Sequence, residues 1–478
     1  AKLFVASIAT AKDPVKLLRV MSETGLLGKY VPSFGQITGR IEYGLFRRFS
    51  LDEHVFQSIG ILTRIRLGAV KAEHPISSGI LDEAESVAPY YIAVLLHQAG
   101  WSLKERSDEN AQALIGRVAR RLGESEEEAS DIAWCAARPL FMVGVAHRRN
   151  LGEARVIADF AADVGSIARL RMLLVLTVCH LRAVSADAWD DWTRKQISAL
   201  YFGAEAWLNG GDEALAIWMD QRADKTRQEA DAALSDWPKA ERAAFMNRLS
   251  DAALALIDPE TFSRAAELAR SAERCGVAAS IADEDVEAIV YADDRPGLLA
   301  DLAGAIAGAG GNVRNVHALT LDDGKIIDVF TIRQPEGGAG EALANFVRTL
   351  HAELLAAARE KPAQPPALGR RIGDRRAIFS VPPVVRLAPG ASDSALVVEA
   401  EGRDRPGLLF SLTSALAELG VQINSAHIAT YGERAVDAFY LQTPEGEKID
   451  DRRLQQAIER RLLAALGDGA KTPQKAAS

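Results

Sequence analysis

Apolar residues recur at helical spacing through residues 1 to about 280. Ile115, Val118, Ala119 and Leu122 mark one such stripe. Ala, Leu, Arg and Glu dominate this stretch, and β-branched runs are few. Breaks fall at Gly25–Gly28, Pro32–Gly35, His74–Gly79 and Gly210–Gly211. The most apolar run, Met172 to Cys179, is flanked by Arg171, His180 and Arg182. It is shorter than the ~20 residues a bilayer span needs, so it predicts a buried helix. From Asp285 the period changes. Glu287–Ala292 reads as a strand, Asp294-Arg295-Pro296-Gly297 as a turn and helix start, and Leu298, Leu299, Leu302 and Ile306 as a helical face closed by Gly310-Gly311. Strand patterns follow at Val313–Leu321 and Lys325–Arg333, then a helix over Gly340–Arg359. The order is β-α-β-β-α, with a last strand expected.

The pattern then returns. Val397–Ala400 is a strand, Asp404-Arg405-Pro406-Gly407-Leu408-Leu409 repeats six residues identically, and Leu412, Leu416 and Leu419 continue the face to Gly420. Strands at Val421–Thr430 and Ala435–Thr443 and a helix at Asp451–Leu466 complete the copy. Asp294 and Asp404 stand 110 residues apart, and the same shift pairs His317 with His427. Asp328 and Asp437 pair after a one-residue deletion. Six identical residues inside one element order mark a duplication. Between the copies, residues 361–392 are rich in Pro, Arg and Gly and read as a linker, within which Ala377–Leu387 is able to add a strand.

The chain has 478 residues, 48% hydrophobic and 25% charged, which suits a multidomain globular protein of the α+β class. The boundaries expected are a helical segment at 1–45, a helical domain at 46–215, a helical connector at 216–284, the first repeat at 285–360, the linker at 361–394, the second repeat at 395–468 and a disordered tail at 469–478. A net charge of −9 argues against general nucleic-acid binding. Cys135, Cys179 and Cys275 are too far apart for a zinc finger or a disulfide framework, and they fit a reducing cytoplasm. No signal peptide or membrane span is read. The chain begins at Ala1, which fits either methionine removal or a piece of a longer chain.

The repeated motif carries chemistry. Pro presets the first helical turn, and Gly lets a ligand approach the backbone. Amides at a helix start attract a carboxylate. Asp294 or Asp404 beside them would hold an ammonium. The combination describes a pocket for a free α-amino acid, against the plainer reading that Asp caps the helix and Gly makes the turn.

The two repeats resemble ACT domains, amino-acid-binding modules of the ferredoxin-like βαββαβ order. The tandem pair, the second reading Gly432-Glu433-Arg434-Ala435-Val436-Asp437-Ala438-Phe439-Tyr440, is similar to the end of the PII uridylyltransferase/uridylyl-removing enzyme family. That resemblance implies glutamine sensing, with Asp294, Gly297, Asp404 and Gly407 lining the sites beside Asn315 and Ser425. It implies the PII signalling protein as a partner, a role in nitrogen assimilation, and self-association through ACT sheets. Upstream, Tyr30–Phe34, Phe46–His54, Leu176-Thr177-Val178, Trp189 and Trp192 resemble the family's HD-type phosphohydrolase domain, whose site holds Mg²⁺ or Mn²⁺. On that template His54 and His97 are the remaining metal ligands. The Asp expected after His97 is Gln98, and Ser107, Pro139, Asn150 and His180 stand at other expected ligand or near-site positions. The site is therefore expected to be catalytically inactive. A rearranged centre drawing on His54, His97, His147 or His180 is the alternative, with UMP removal from PII as its activity. Asp52-Glu53 reads as a helix start, and Glu124–Glu128 as a solvated face. The family's nucleotidyltransferase, with its Gly-Ser element and paired aspartates, has no counterpart here, so the chain as given is not expected to transfer UMP.

Overall fold

A computed structural model describes residues 2–41, 49–184, 186–250, 254, 259–282, 285–334, 340–360, 381–431 and 434–467. Residues 46–48, 361–380, 432–433 and the tail, on which some of the sequence readings fall, lie outside the described residues. The chain divides into two compact units, one of residues 1–147 and 153–218, the other of 148–152 and 219–478.

The first unit is helical. At its centre lies the helix Ile167–Val184, in which every residue from Met172 to Leu181 is buried, as its unbroken apolar character predicts. No single described helix is long and apolar enough to cross a membrane. The helix Leu51–Arg66 starts at Ser50 with Asp52 and Glu53 in its first turn. These acids are engaged locally: Asp52 accepts from the Gly39 amide at 3.0 Å, and Glu53 pairs with Arg19 at 2.6 Å. The acidic run at 124–128 is more than a solvated face, because Ser125 and Glu128 form a capping box at the start of Glu126–Ala137.

The second unit is built on one antiparallel sheet of eight strands in the order β1-β2-β4-β3-β7-β8-β6-β5. The first module contributes β1 (Gly276–Ala282), β2 (Asp285–Asp293), β3 (Asn312–Thr320) and β4 (Lys325–Arg333). The second contributes β5 (Val384–Ala388), β6 (Leu396–Arg403), β7 (Gln422–Tyr431) and β8 (Arg434–Gln442). The α+β ferredoxin-like class holds, but the fourth strand of each module precedes the first instead of trailing the second helix. β1 and β5 pair antiparallel with β2 and β6. A strand adjacent in sequence reaches the sheet edge with little loop-closure cost, and it fills the place a trailing strand would take. The stretch expected to be a helical connector thus ends in a strand, and the linker contains one.

The modules join where β3 meets β7, with Asn315 opposite Ala429, Val316 opposite Ile428 and His317 opposite His427. Because His317 and His427 are counterparts, their pair marks the local two-fold axis. On one face of the sheet the helices Leu298–Gly308 and Leu408–Glu418 share a core: Leu298, Leu302 and Ile306 meet Leu408, Leu412 and Leu416 over Val290, Phe330 and Phe439. The opposite face of the first module is covered by Phe245, Met246 and Phe262, packed on Ile289, Tyr291, Leu319, Ile327 and Val329. Burial of both faces explains why β4 and β8 are nearly continuous apolar runs.

Phe330 is fully buried in the core shared by the modules. Phe330→Ala should cost about 3–5 kcal/mol, the usual range for emptying such a site. Urea unfolding followed by circular dichroism should show a correspondingly lower midpoint.

Candidate functional sites

Three helices of the first unit bring histidines together. His54 stands in Leu51–Arg66, His97 just after Ala88–Leu96, and His180 in Ile167–Val184. All are buried, and one ring nitrogen of each lies within 4.8 Å of the others. His54 Nε2 and His180 Nδ1 share a hydrogen bond of 3.1 Å. His97 Nδ1 is 2.6 Å from the Val94 carbonyl, which accepts its proton and so assigns the lone pair to Nε2. His180, which occupies an expected carboxylate position, thus supplies a third nitrogen. His147 lies against Trp192 instead, with ring centroids 4.6 Å apart. The group contains no carboxylate. Three imidazole nitrogens suit a borderline metal such as Zn²⁺, and the donor set does not fit the hard Mg²⁺ or Mn²⁺ that the sequence resemblance implied.

In the second unit each motif loop faces the other module. Gly297 and Gly407 cap their helices with φ of 82° and 76°, a region where a side chain is strained. The motif arginines serve the scaffold. Arg295 donates to Asp301 at 2.5 Å and to the Ala357 carbonyl at 2.8 Å, and Arg405 donates to the Ala465 carbonyl at 2.8 Å. Each ties its loop to the end of the module's second helix. Two clefts result. One, of about 570 Å³, is lined by Asp294, Gly297 and Asp328 of the first module and by Gln422 and Asn424 of the second. Its counterpart, of about 340 Å³, is lined by Asp404, Gly407 and Asp437 together with Asn312 of the first module. Asn312 donates to Asp404 at 3.0 Å.

Residues 286–345 match the ACT domain family. Over 97% of its length the chain is 34% identical to the bifunctional uridylyltransferase/uridylyl-removing enzyme of Rhodospirillum rubrum, and over 98% it is 35% identical to that of Phenylobacterium zucineum. The chain is a relative of the C-terminal half of the bifunctional uridylyltransferase/uridylyl-removing enzymes. It spans half the length of each of these two relatives.

Within this pair of modules, Asp294 and Gly297 line one cleft and Asp404 and Gly407 the other. Asn315 and Ser425 do not line them. The reason is the two-residue period of a strand. Ala318 and Thr320 of β3, and Ile428 and Thr430 of β7, line the clefts on the helical face. Asn315 and Ser425 are of opposite parity, and Asn315 contacts His317 at 3.2 Å. The cleft residues from the start of these strands instead include Asn312 and Gln422, themselves counterparts, and Asn424.

Two further cleft residues, Asp328 and Asp437, carry a signal visible in the sequence: a lone acid in the same place of two apolar strands. Both are buried, at 4% and 2% exposure. Asp328 accepts from the Leu319 amide and Asp437 from the Ala429 amide. Burial, reinforced by the neighbouring Asp294, pushes the Asp328 carboxyl up to about 8. Burial and Asp404 drive Asp437 well above the usual carboxylate range.

Asp328 therefore keeps its proton in the folded chain up to about pH 8, whereas an unfolded Asp loses it near pH 3.9. Folding binds a proton between those limits, so this group's contribution to stability falls as pH rises through the window and levels off above it. Asp328→Asn has no such proton to lose. Thermal melts at pH 4, 6, 7.5 and 9 should show the variant gaining several degrees on the parent between the first and third, with only a small further gain at the last.

Proposed function

We propose that the chain is the regulatory part of a PII-protein uridylyltransferase/uridylyl-removing enzyme and that its ACT pair senses glutamine in the cytoplasm to set PII modification. The observation that carries this is the pair of clefts at the module boundary. Each sets a carboxylate, Asp294 or Asp404, beside a helix start opened by a positive-φ glycine. Helix-start amides receive a carboxylate and the aspartate receives an ammonium, which are the two ends of a free α-amino acid. Because both modules line each cleft, a ligand there stabilises one arrangement of the pair, which is what a signal to a catalytic centre requires.

Calorimetry on the whole chain should detect glutamine binding at or below about millimolar Kd, a range of roughly 4 kcal/mol or more. Gly297→Val, which strains the helix start, should weaken it. No heat at millimolar glutamine with the fold intact contradicts the reading.

A second reading is favoured by the three-histidine cluster: the helical domain is of the HD type and retains a metal-dependent hydrolase centre, rearranged around His54, His97 and His180, that removes UMP from uridylylated PII. The metal would act as Lewis acid, with the three imidazoles holding it. Zn²⁺ at micromolar concentration should raise the melting temperature, Mg²⁺ should not, and His180→Ala should abolish the Zn²⁺ effect. Release of UMP from uridylylated PII that survives His54→Ala would exclude this centre as its source.

A further inference from the structure

Asp328 and Asp437 are unusual among the buried polar residues of the ACT unit. Neither pairs with a Lys or Arg among the described residues. Each lies in the middle of its sheet, Asp328 between Val290 and Ala318, Asp437 between Ala400 and Ile428. Each accepts one backbone amide, from Leu319 and Ala429, which are themselves counterparts 110 residues apart. Each lines its cleft together with a second carboxyl that raises its charge cost, from Asp294 or Asp404 at the motif loop. Asp437 Oδ1 is buried without a hydrogen-bond partner. Two acids lining one half-enclosed cleft are costly to keep, because neither burial nor a like charge favours ionisation. A structure that carries this arrangement twice has a place where a small cation offsets the cost.

We propose that in each cleft the strand aspartate and the loop aspartate together seat the α-ammonium of the amino acid, and that the ammonium displaces a proton from the strand aspartate. This rests on the amino-acid reading above and adds the residue that recognises the charged end. The other titratable group lining the larger cleft is Arg295, held by Asp301 and the Ala357 carbonyl. Asp404 and Asp437 are the titratable groups lining the smaller one. The only bond that breaks is one carboxyl O–H, and its proton passes to water or buffer. The ammonium enters with its three hydrogens, and one proton leaves an aspartate oxygen for the solvent, so the seat becomes a carboxylate pair around one positive nitrogen.

The two seats are unequal. Asn312 already donates to Asp404, so a ligand entering the smaller cleft has to break that bond. Gln422, the counterpart of Asn312, lines the larger cleft without a bond to Asp294. The Asp294–Asp328 seat therefore fills first.

Glutamine titrated into the whole chain at pH 7, in phosphate and in Tris, separates binding heat from buffer protonation. The parent should release a proton, up to about one for the first ligand bound. Asp328→Asn should weaken that event by about 10-fold or more, the scale of a lost charged hydrogen bond, and remove the buffer dependence. Asp437→Asn should weaken the second binding event. Asp294→Asn should weaken it as Asp328→Asn does, and serves if the latter variant does not fold. Parent heats independent of buffer, or Asp328→Asn binding as tightly as the parent with the same proton release, would overturn this proposal alone. Absence of binding by the folded parent to any amino acid overturns the sensing reading and this one with it.

Discussion

The pairing of β3 with β7 is the constraint on which the rest of the second unit depends. It makes two modules one sheet, and its His317–His427 register fixes which residues of each module meet. Slipping the pairing by one residue would turn every side chain of the seam to the other face. Ala318 and Thr320, Ile428 and Thr430 would leave the clefts, and the two helices behind them would lose their shared leucine and isoleucine core. The clefts are products of this register. Neither module forms one alone, since the larger cleft needs Gln422 and Asn424 and the smaller needs Asn312.

The same arrangement uses within one chain the sheet-edge pairing that the resemblance to ACT domains suggested for self-association. An exposed strand edge invites a second copy, and the duplication supplies that copy covalently. The outer edges, β1 and β5, are strands that the chain adds before each module. Cleft and scaffold are divided within the motif itself. Pro and Gly shape the helix start, Asp faces the cleft, and Arg anchors the loop to the module's second helix.

Much of this was legible in the residues. The switch from a helical period to alternating strands near Asp285 marked the modules, and six identical residues at one shift marked the duplication. The buried helix through Met172–Cys179 followed from its apolar length. What escaped has physical causes. Edge strand Gly276–Ala282 is short, rich in alanine and partly exposed, so its pattern does not stand apart from the helices before it. The family resemblance points to Asn315 and Ser425, whereas sheet parity, which only the register reveals, turns them away from the clefts. His180 read as the loss of a carboxylate. In space it joins His54 and His97, so an imidazole converges where a carboxylate was expected.

The account centres on an amino acid held between modules, its ammonium between two aspartates. A crystal structure of the chain with glutamine tests that most directly. It should place the ligand's amino nitrogen within hydrogen-bonding distance of both Asp294 and Asp328, with its carboxylate at the start of the helix Leu298–Gly308. Glutamine bound away from the module boundary, or with its nitrogen pointing away from Asp328, would contradict the account.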